Sequence, residues 1–517
     1  MLVMHPALRN LEVICTISSH TEYGSLPALA STCRAFEDSA LNVLWKHLRS
    51  VEPLVKCLPG GLFGTDQGCV VLQKPLDDKM WETLARYTSR VHSITVVQFA
   101  KDTILPVIER LSLIMLSCPS APASLFPNLR KLTWYADGTR GAADFLRMAF
   151  VPSLVEVNLR IASASSAFLS VLSSLGTLCP RLQSMAVRIH LAGNDSPRKI
   201  SPFITQSISQ LHYLLSLTVW DLGNEGMKRV MQLRALQSLS LDLTALSAWE
   251  TWLHLQFPGF HDVRFLGLSV DAFERASNFL NSLQVLRSRE FRVNYTTEAA
   301  VSHVRGGSVT LSQFFTILQK KCDNDKLERF SLIATSTRIH TQSGVFTSLH
   351  AFRNLIQLII DRGCVISVSD EELCQLVRAW PKLKVLKISY HVAVDNTAVP
   401  TFHGLISLLR LCPALISLAL VIDTTKLDGI DLKYPGGGSC NKKLKSLVLG
   451  NSPIVSPLNV ALVLSGLFPC LEQVDLDYWD LGLMTFSPQK NPVMEQWALV
   501  NNFLTGFSVV RERRIEA

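Results

Sequence analysis

The sequence predicts an α/β protein: a short helical motif followed by a long, irregular solenoid in which each repeat is one strand plus one helix. Three observations predict it. A short phrase, usually an aromatic residue or cysteine with proline and then L-x-x-L-x-L or conservative swaps, returns twelve times. Helical apolar patterns fill the gaps between its copies. The first fifty residues carry helices with more apolar surface than so short a piece can bury alone. With 517 residues, 48% of them hydrophobic and 18% charged, the chain has material for a large buried core and is no disordered polymer.

The opening elements come first in the chain. In "SLPALASTCRAFEDSALNVLWKHL", Ser25 to Leu48, Ser25 is a candidate N-cap with Pro27 in the first turn, and Leu26, Leu29, Ala30 and Cys33 recur at helical spacing. A further helix follows, with Asp38 or Ser39 as its cap and Leu41, Leu44, Trp45 and Leu48 at i, i+3, i+4 and i+7. Both apolar faces are wide, so something outside the motif is expected to meet them. Residues 1–50 are read as this motif, 51–85 as a linker, 86–510 as the solenoid and 511–517 as a basic tail.

The repeats run from "FPNLRKLTWY" at Phe126 through "VPSLVEVNLRI", "CPRLQSMAVRI", "LHYLLSLTVWDL", "LRALQSLSLDL", "FHDVRFLGLSV", "DKLERFSLIAT", "FRNLIQLIID", "WPKLKVLKISY", "CPALISLALVI" and "NKKLKSLVLGN" to "FPCLEQVDLDY" at Phe468. Their first core positions, Leu129 to Leu471, are mostly about 22 to 32 residues apart, near the period of leucine-rich repeats, which the array resembles. The one doubled gap, Val263 to Leu327, is expected to hold a degenerate unit at Arg289–Tyr295, and Val91–Phe99 an opening strand. Between strands, "AFLSVLSSLGTL", "EELCQLVRAW" and "GLISLLRL" read as helices. The usual Asn or Cys after the last core leucine is replaced in each unit, so no asparagine ladder and an uneven arc are expected.

Period two along each strand sends the core leucines inward and the residues between them outward. The column just after the last core position reads Tyr135, Arg160, Arg188, Trp220, Asp242. Tyr, Arg and Trp dominate many binding interfaces, so Tyr135, Arg160, Arg188 and Trp220 are the candidate substrate-binding residues. A later, more acidic edge is expected around Asp361, Asp475 and Asp477.

Other chemistry finds little support. The twelve cysteines include no C-x-x-C pair, and three precede proline (Cys118, Cys179, Cys412), the pattern of small buried thiols in cytosol or nucleus. The thirteen histidines lack ligand spacing, and no G-x-S-x-G, H-E-x-x-H or phosphate-loop signature occurs, so no catalytic residue, metal or cofactor is expected. "YPGGGSCNKK" at Tyr434 lacks the phosphate-loop spacing and precedes a strand. A net charge of +8 is spread diffusely, without the interleaved aromatics of a nucleic-acid platform. The uncharged runs Ile161–Pro180 and Ser446–Leu471 are rich in serine or interrupted by proline, which favours buried segments over membrane spans. No secretory leader is read, so an intracellular protein, cytoplasmic or nuclear, is expected.

The order "ALRNLEVICTISSH", "GSLPALASTCRAFEDSALNVLWKHL", then a leucine-rich array closely resembles the fungal F-box proteins with C-terminal leucine-rich repeats. In that family the F-box is a three-helix motif that docks on a Skp-type adaptor, and through it a cullin-RING ubiquitin ligase. The resemblance implies a non-enzymatic, substrate-recognition subunit of an SCF-type ligase, with an unidentified protein substrate on the repeats. It implies adaptor-binding positions at Leu11 and Ile14 in the first helix, Leu26, Leu29 and Cys33 in the second, and Leu44 and Trp45 in the third. The family's opening Leu-Pro or Ile-Pro pair is Leu8 and Arg9 here. A second reading therefore stays open: a repeat scaffold with a decayed F-box and no ligase role.

Overall fold

The computed structural model describes residues 10–66, 69–97, 104–117, 124–135, 140–161, 165–189, 197–244, 256–260, 262–296, 309–334, 339–341, 344–360, 364–388, 398–476 and 492–516. The chain divides into two compact units, Met1–Gln237 and Ser238–Ala517.

The first unit opens with three helices, α1 (Leu11–His20), α2 (Leu26–Thr32) and α3 (Arg34–Lys46). It continues with β1 (His47–Leu48), α4 (Glu52–Lys56), β2 (Phe63–Asp66), β3 (Cys69–Leu72), α5 (Asp78–Thr88) and β4 (Ser93–Val97). Then helix and strand alternate: α6 (Ile104–Leu116), β5 (Lys131–Tyr135), α7 (Arg140–Ala149), β6 (Glu156–Ile161), α8 (Ser166–Leu178), β7 (Ser184–Ile189), α9 (Pro197–Ile208), β8 (Ser216–Trp220) and α10 (Gly223–Met231). Strands β1, β4, β5, β6, β7 and β8 pair in that order, all parallel, while β2 and β3 form a separate antiparallel hairpin.

The second unit repeats the alternation. It holds β9 (Ser238–Asp242), β10 (Phe265–Val270), α11 (Phe273–Ser282), β11 (Glu290–Tyr295), α12 (Leu311–Lys321), β12 (Arg329–Ala334), β13 (Ile339–Thr341), β14 (Gln357–Ile360) and β15 (Cys364–Ile366). After these come α13 (Asp370–Ala379), β16 (Val385–Ile388), α14 (Phe402–Leu411), β17 (Ser417–Leu420), β18 (Ser446–Val448), α15 (Pro457–Leu467) and α16 (Pro492–Glu516). Its sheet runs β9, β10, β11, β12, β14, β16, β17, β18, again parallel wherever pairs are defined, with β13 and β15 as a small parallel pair beside it.

A single local device makes the repeat. The residue at the head of the phrase is followed in six of the nine copies named below by a proline, which cannot extend a preceding helix, and the backbone turns so that the first core leucine donates its N–H three residues back. That bond recurs from Leu129 to Phe126, Leu154 to Val151, Leu182 to Cys179, Leu214 to Leu211, Leu236 to Leu233, Leu355 to Phe352, Leu383 to Trp380, Leu415 to Cys412 and Leu471 to Phe468, at 3.0 to 3.3 Å. At Cys179, Trp380, Cys412 and Phe468 the backbone is nearly the same, with φ between −122° and −129° and ψ between 60° and 74°. These closing side chains and the core leucines behind them are buried and form the continuous interior.

The degenerate unit at Arg289–Tyr295 and the opening strand near Val91 are both strands, β11 and β4. Five local expectations change. Helix α3 starts at Arg34, with Cys33 as its extended N-cap, because Phe36 and Ala40 already belong to its buried face. Ser25 makes no side-chain cap bond. The stretch 51–85, expected as a linker, holds α4, the β2–β3 hairpin and most of α5. The basic tail is the end of α16, where Arg511 is bonded to the Pro469 carbonyl and, at 2.9 Å, to Ser465 Oγ. The described part of the last phrase, residues 468–476, forms no strand; there Asn501 on α16 bonds both backbone groups of Val474, at 2.8 and 2.9 Å, and covers that edge with a side chain. Among the described residues no helix is long and apolar enough to cross a membrane.

Candidate functional site

Two surfaces of the first unit gather the candidate residues. In the helical motif, α3 is braced against α5. Trp45 stacks on Tyr87 with ring centroids 4.5 Å apart, Arg86 pairs with Glu37 at 2.6 Å, and Arg90 reaches Asp38 at 2.7 Å and also Asn42. Exposed pairs of this kind add little stability singly, but three of them with an aromatic stack fix one orientation. The Tyr23 hydroxyl donates to the Leu44 carbonyl at 3.0 Å and ties the loop after α1 to α3.

That bracing sorts the seven motif positions. Ile14, Leu26 and Trp45 are buried within the chain; Leu29 and Leu44 are half-buried; Leu11 and Cys33 are exposed. Trp45 spends its face on Tyr87, a partner the sequence pattern of the motif could not reveal because it lies beyond the stretch read as linker. What remains outside on α1 is Leu11, 69% exposed, and Ile17, 36% exposed, one on each flank of the buried Ile14.

The second surface is the sheet face opposite the helices. Inward strand positions such as Leu132, Trp134, Val157, Leu159, Met185 and Val187 are buried. Outward, Tyr135, Arg160 and Arg188 stand side by side, because Tyr135 pairs in register with Arg160 and Arg160 with Arg188. Both arginines are exposed, and neither forms an ion pair with another described residue. Asn158 donates to the Tyr135 hydroxyl at 3.0 Å and holds the phenol over the face. Two outward columns toward the strand starts, Lys131 and Glu156 neutralise each other at 2.8 Å.

Trp220 does not join them. It is 5% exposed, and its indole N–H donates to Ser201 Oγ on α9 at 3.1 Å, so the β8 end of the column turns into the interior. In the acidic edge, Asp361 and Asp477 lie outside the described residues, and the Asp475 N–H donates to the Leu447 carbonyl at 2.8 Å.

Two basic groups at the strand starts were missed in the sequence. His47 and His92 adjoin Lys46 and Arg130; both imidazoles are pushed below their ordinary value, first by burial and then by Lys46. The signal was the run Lys46-His47, which gains meaning only once β1 pairs with β4. Among the described residues no cluster of His, Cys, Asp and Glu could hold a metal ion. No protein-family model matches the chain, and comparison with the curated proteins finds no significant match.

Proposed function

We propose that this chain is a substrate-recognition subunit of an SCF-type ubiquitin ligase, its N-terminal helices docking on a Skp-type adaptor and its repeats holding a protein substrate. The observation that carries the reading is the pair of exposed aliphatic side chains on α1, Leu11 and Ile17, on a motif braced against α5. A folded motif that leaves large aliphatic groups in water is suited to a permanent partner. The chain's contribution is effective concentration: a substrate on the sheet face is held near the ligase's charged conjugating enzyme, and no bond is made or broken here. Arg160 and Arg188, which form no ion pair with a described residue, favour a substrate segment that is acidic at the point of contact.

Capture of a purified Skp-type adaptor by the full chain tests the reading. Wild type should bind, and Leu11→Glu with Ile17→Glu should weaken capture at least about tenfold without lowering the melting temperature, since neither side chain is buried. No adaptor capture by folded wild type would sink it. The second reading, a scaffold without a ligase role, is favoured by the Leu8–Arg9 opening and by the burial of Ile14, Leu26 and Trp45 within the chain itself.

A further inference from the structure

Helix α16 has two unlike faces. Trp497, Val500 and Leu504 are buried, and Asn501 is tied to Val474, so one side is docked on the last repeat. On the other side Leu499 is 45%, Phe503 37% and Val510 55% exposed, and nothing lies within 4 Å of where a Cβ on Gly506 would stand. At 100° per residue, positions 499, 503, 506 and 510 fall in one arc of about 60°. Their 4-3-4 spacing is that of a two-helix seam.

We infer that this stripe joins two copies of the chain, α16 against α16 in antiparallel, with Phe503 of each copy seated on Gly506 of the other. The stripe is its own complement in shape and in charge. A two-fold axis midway between 503 and 506 sets the largest side chain of the seam opposite the one position with no side chain. It also sets Leu499 opposite Val510. The same operation brings Glu495, which is exposed, level with positions 513 and 514, both arginine. A parallel pairing would stack phenylalanine on phenylalanine, leave a void between two glycines, and oppose glutamate to glutamate. Isologous closure gives a dimer and stops there, and the glycine lets the two backbones approach as a large residue would not.

One helix pair lies at the low end of specific interfaces, so a dissociation constant on the order of 10 µM is expected. Sedimentation velocity of the full chain over a concentration series reaching about 100 µM reads it directly. Wild type should shift from monomer to dimer across that range. Gly506→Gln should raise the dissociation constant at least about tenfold while melting no lower than wild type, because its side chain meets nothing in its own copy. Wild type that stays monomeric overturns the inference, and so does a dimer that Gly506→Gln leaves unchanged, since it would use another surface.

Discussion

Gly176 and Gly506 both sit inside helices, where glycine is ordinarily a weakness, yet they answer opposite demands. A Cβ on Gly176 would stand 2.5 Å from the Ser207 carbonyl oxygen, because α8 and α9 approach there and Ser207 bonds the Leu172 carbonyl. Helix propensity favours alanine by about 1 kcal/mol, but forcing backbone apart costs about 1–3 kcal/mol, so the clash wins. Gly176→Ala is expected to lower the stability of the first unit, whereas Gly506→Ala should raise that of the second by about 0.5–1 kcal/mol. Denaturant titration of both variants checks the pair, and equal signs would show that the packing argument fails. The two histidines at the strand starts make a second residue-scale case. His47 and His92 have folded-state values below their unfolded value of 6.5, so between those values the unfolded chain binds more protons. Stability of the first unit should therefore fall as pH drops from about 6.5 through the depressed folded values, and be recovered as pH rises. The flanking cations are Lys46 and Arg130, with no carboxylate among the causes of either shift. His92→Gln should flatten that acid limb in thermal melts, and an unchanged limb would assign it to carboxylates elsewhere.

At the scale of the element, the helix-closing position explains both what the sequence revealed and what it hid. It is filled by Phe126, Val151, Cys179, Leu211, Phe352, Trp380, Cys412 and Phe468, residues alike only in being apolar and buried. Burial pushes the Cys179 and Cys412 thiols up to about 12. Alkylation of the native protein near pH 8 should then modify the exposed Cys15, Cys33, Cys440 and Cys470 and spare Cys179 and Cys412 until the chain unfolds. Mass mapping that finds either buried thiol labelled first would mean that the helix ends open locally. Strand positions were legible because a parallel strand in a repeat obeys two rules at once, a turn residue with proline before it and period two within it. Phe468–Tyr478 keeps both rules, yet its described part, through residue 476, is not a strand; there the Asp475 N–H reaches the Leu447 carbonyl while Asn501 from α16 takes both backbone groups of Val474 on the other edge. The outward column was legible in part for the same reason. Alternation places Tyr135, Arg160 and Arg188, but it carries no information on the Ser201 hydroxyl that draws Trp220 inward from another element. The bracing of Trp45 by Tyr87 was hidden likewise, being a contact across 42 residues of chain with no periodic signal.

At the scale of the whole molecule, each unit is a stack in which a strand pairs only with its neighbours, so a defect should spread by one repeat and fade. Trp380 tests this within the second unit. It is fully buried, its indole N–H donates to the Leu349 carbonyl at 3.1 Å in the preceding repeat, and its own carbonyl accepts from Cys412 Sγ at 3.5 Å in the following one. Trp380→Ala removes the side chain and leaves the Leu349 carbonyl buried without its donor, a loss expected to total about 3–5 kcal/mol. In a two-state globule that loss would lower the protection of every core amide equally. In a linear array it acts on nearest-neighbour interfaces, and repeats two or more away keep their own contacts. Hydrogen exchange should therefore speed up in β14, β16 and β17, while β10 and β11, whose neighbours are β9 and β12, exchange as in wild type. Uniform acceleration from β9 to β18 would mean that the unit folds as one cooperative body. A surface built on such a body would respond to distant core changes, whereas a linear array confines them and leaves the sheet face of one set of repeats independent of damage in another.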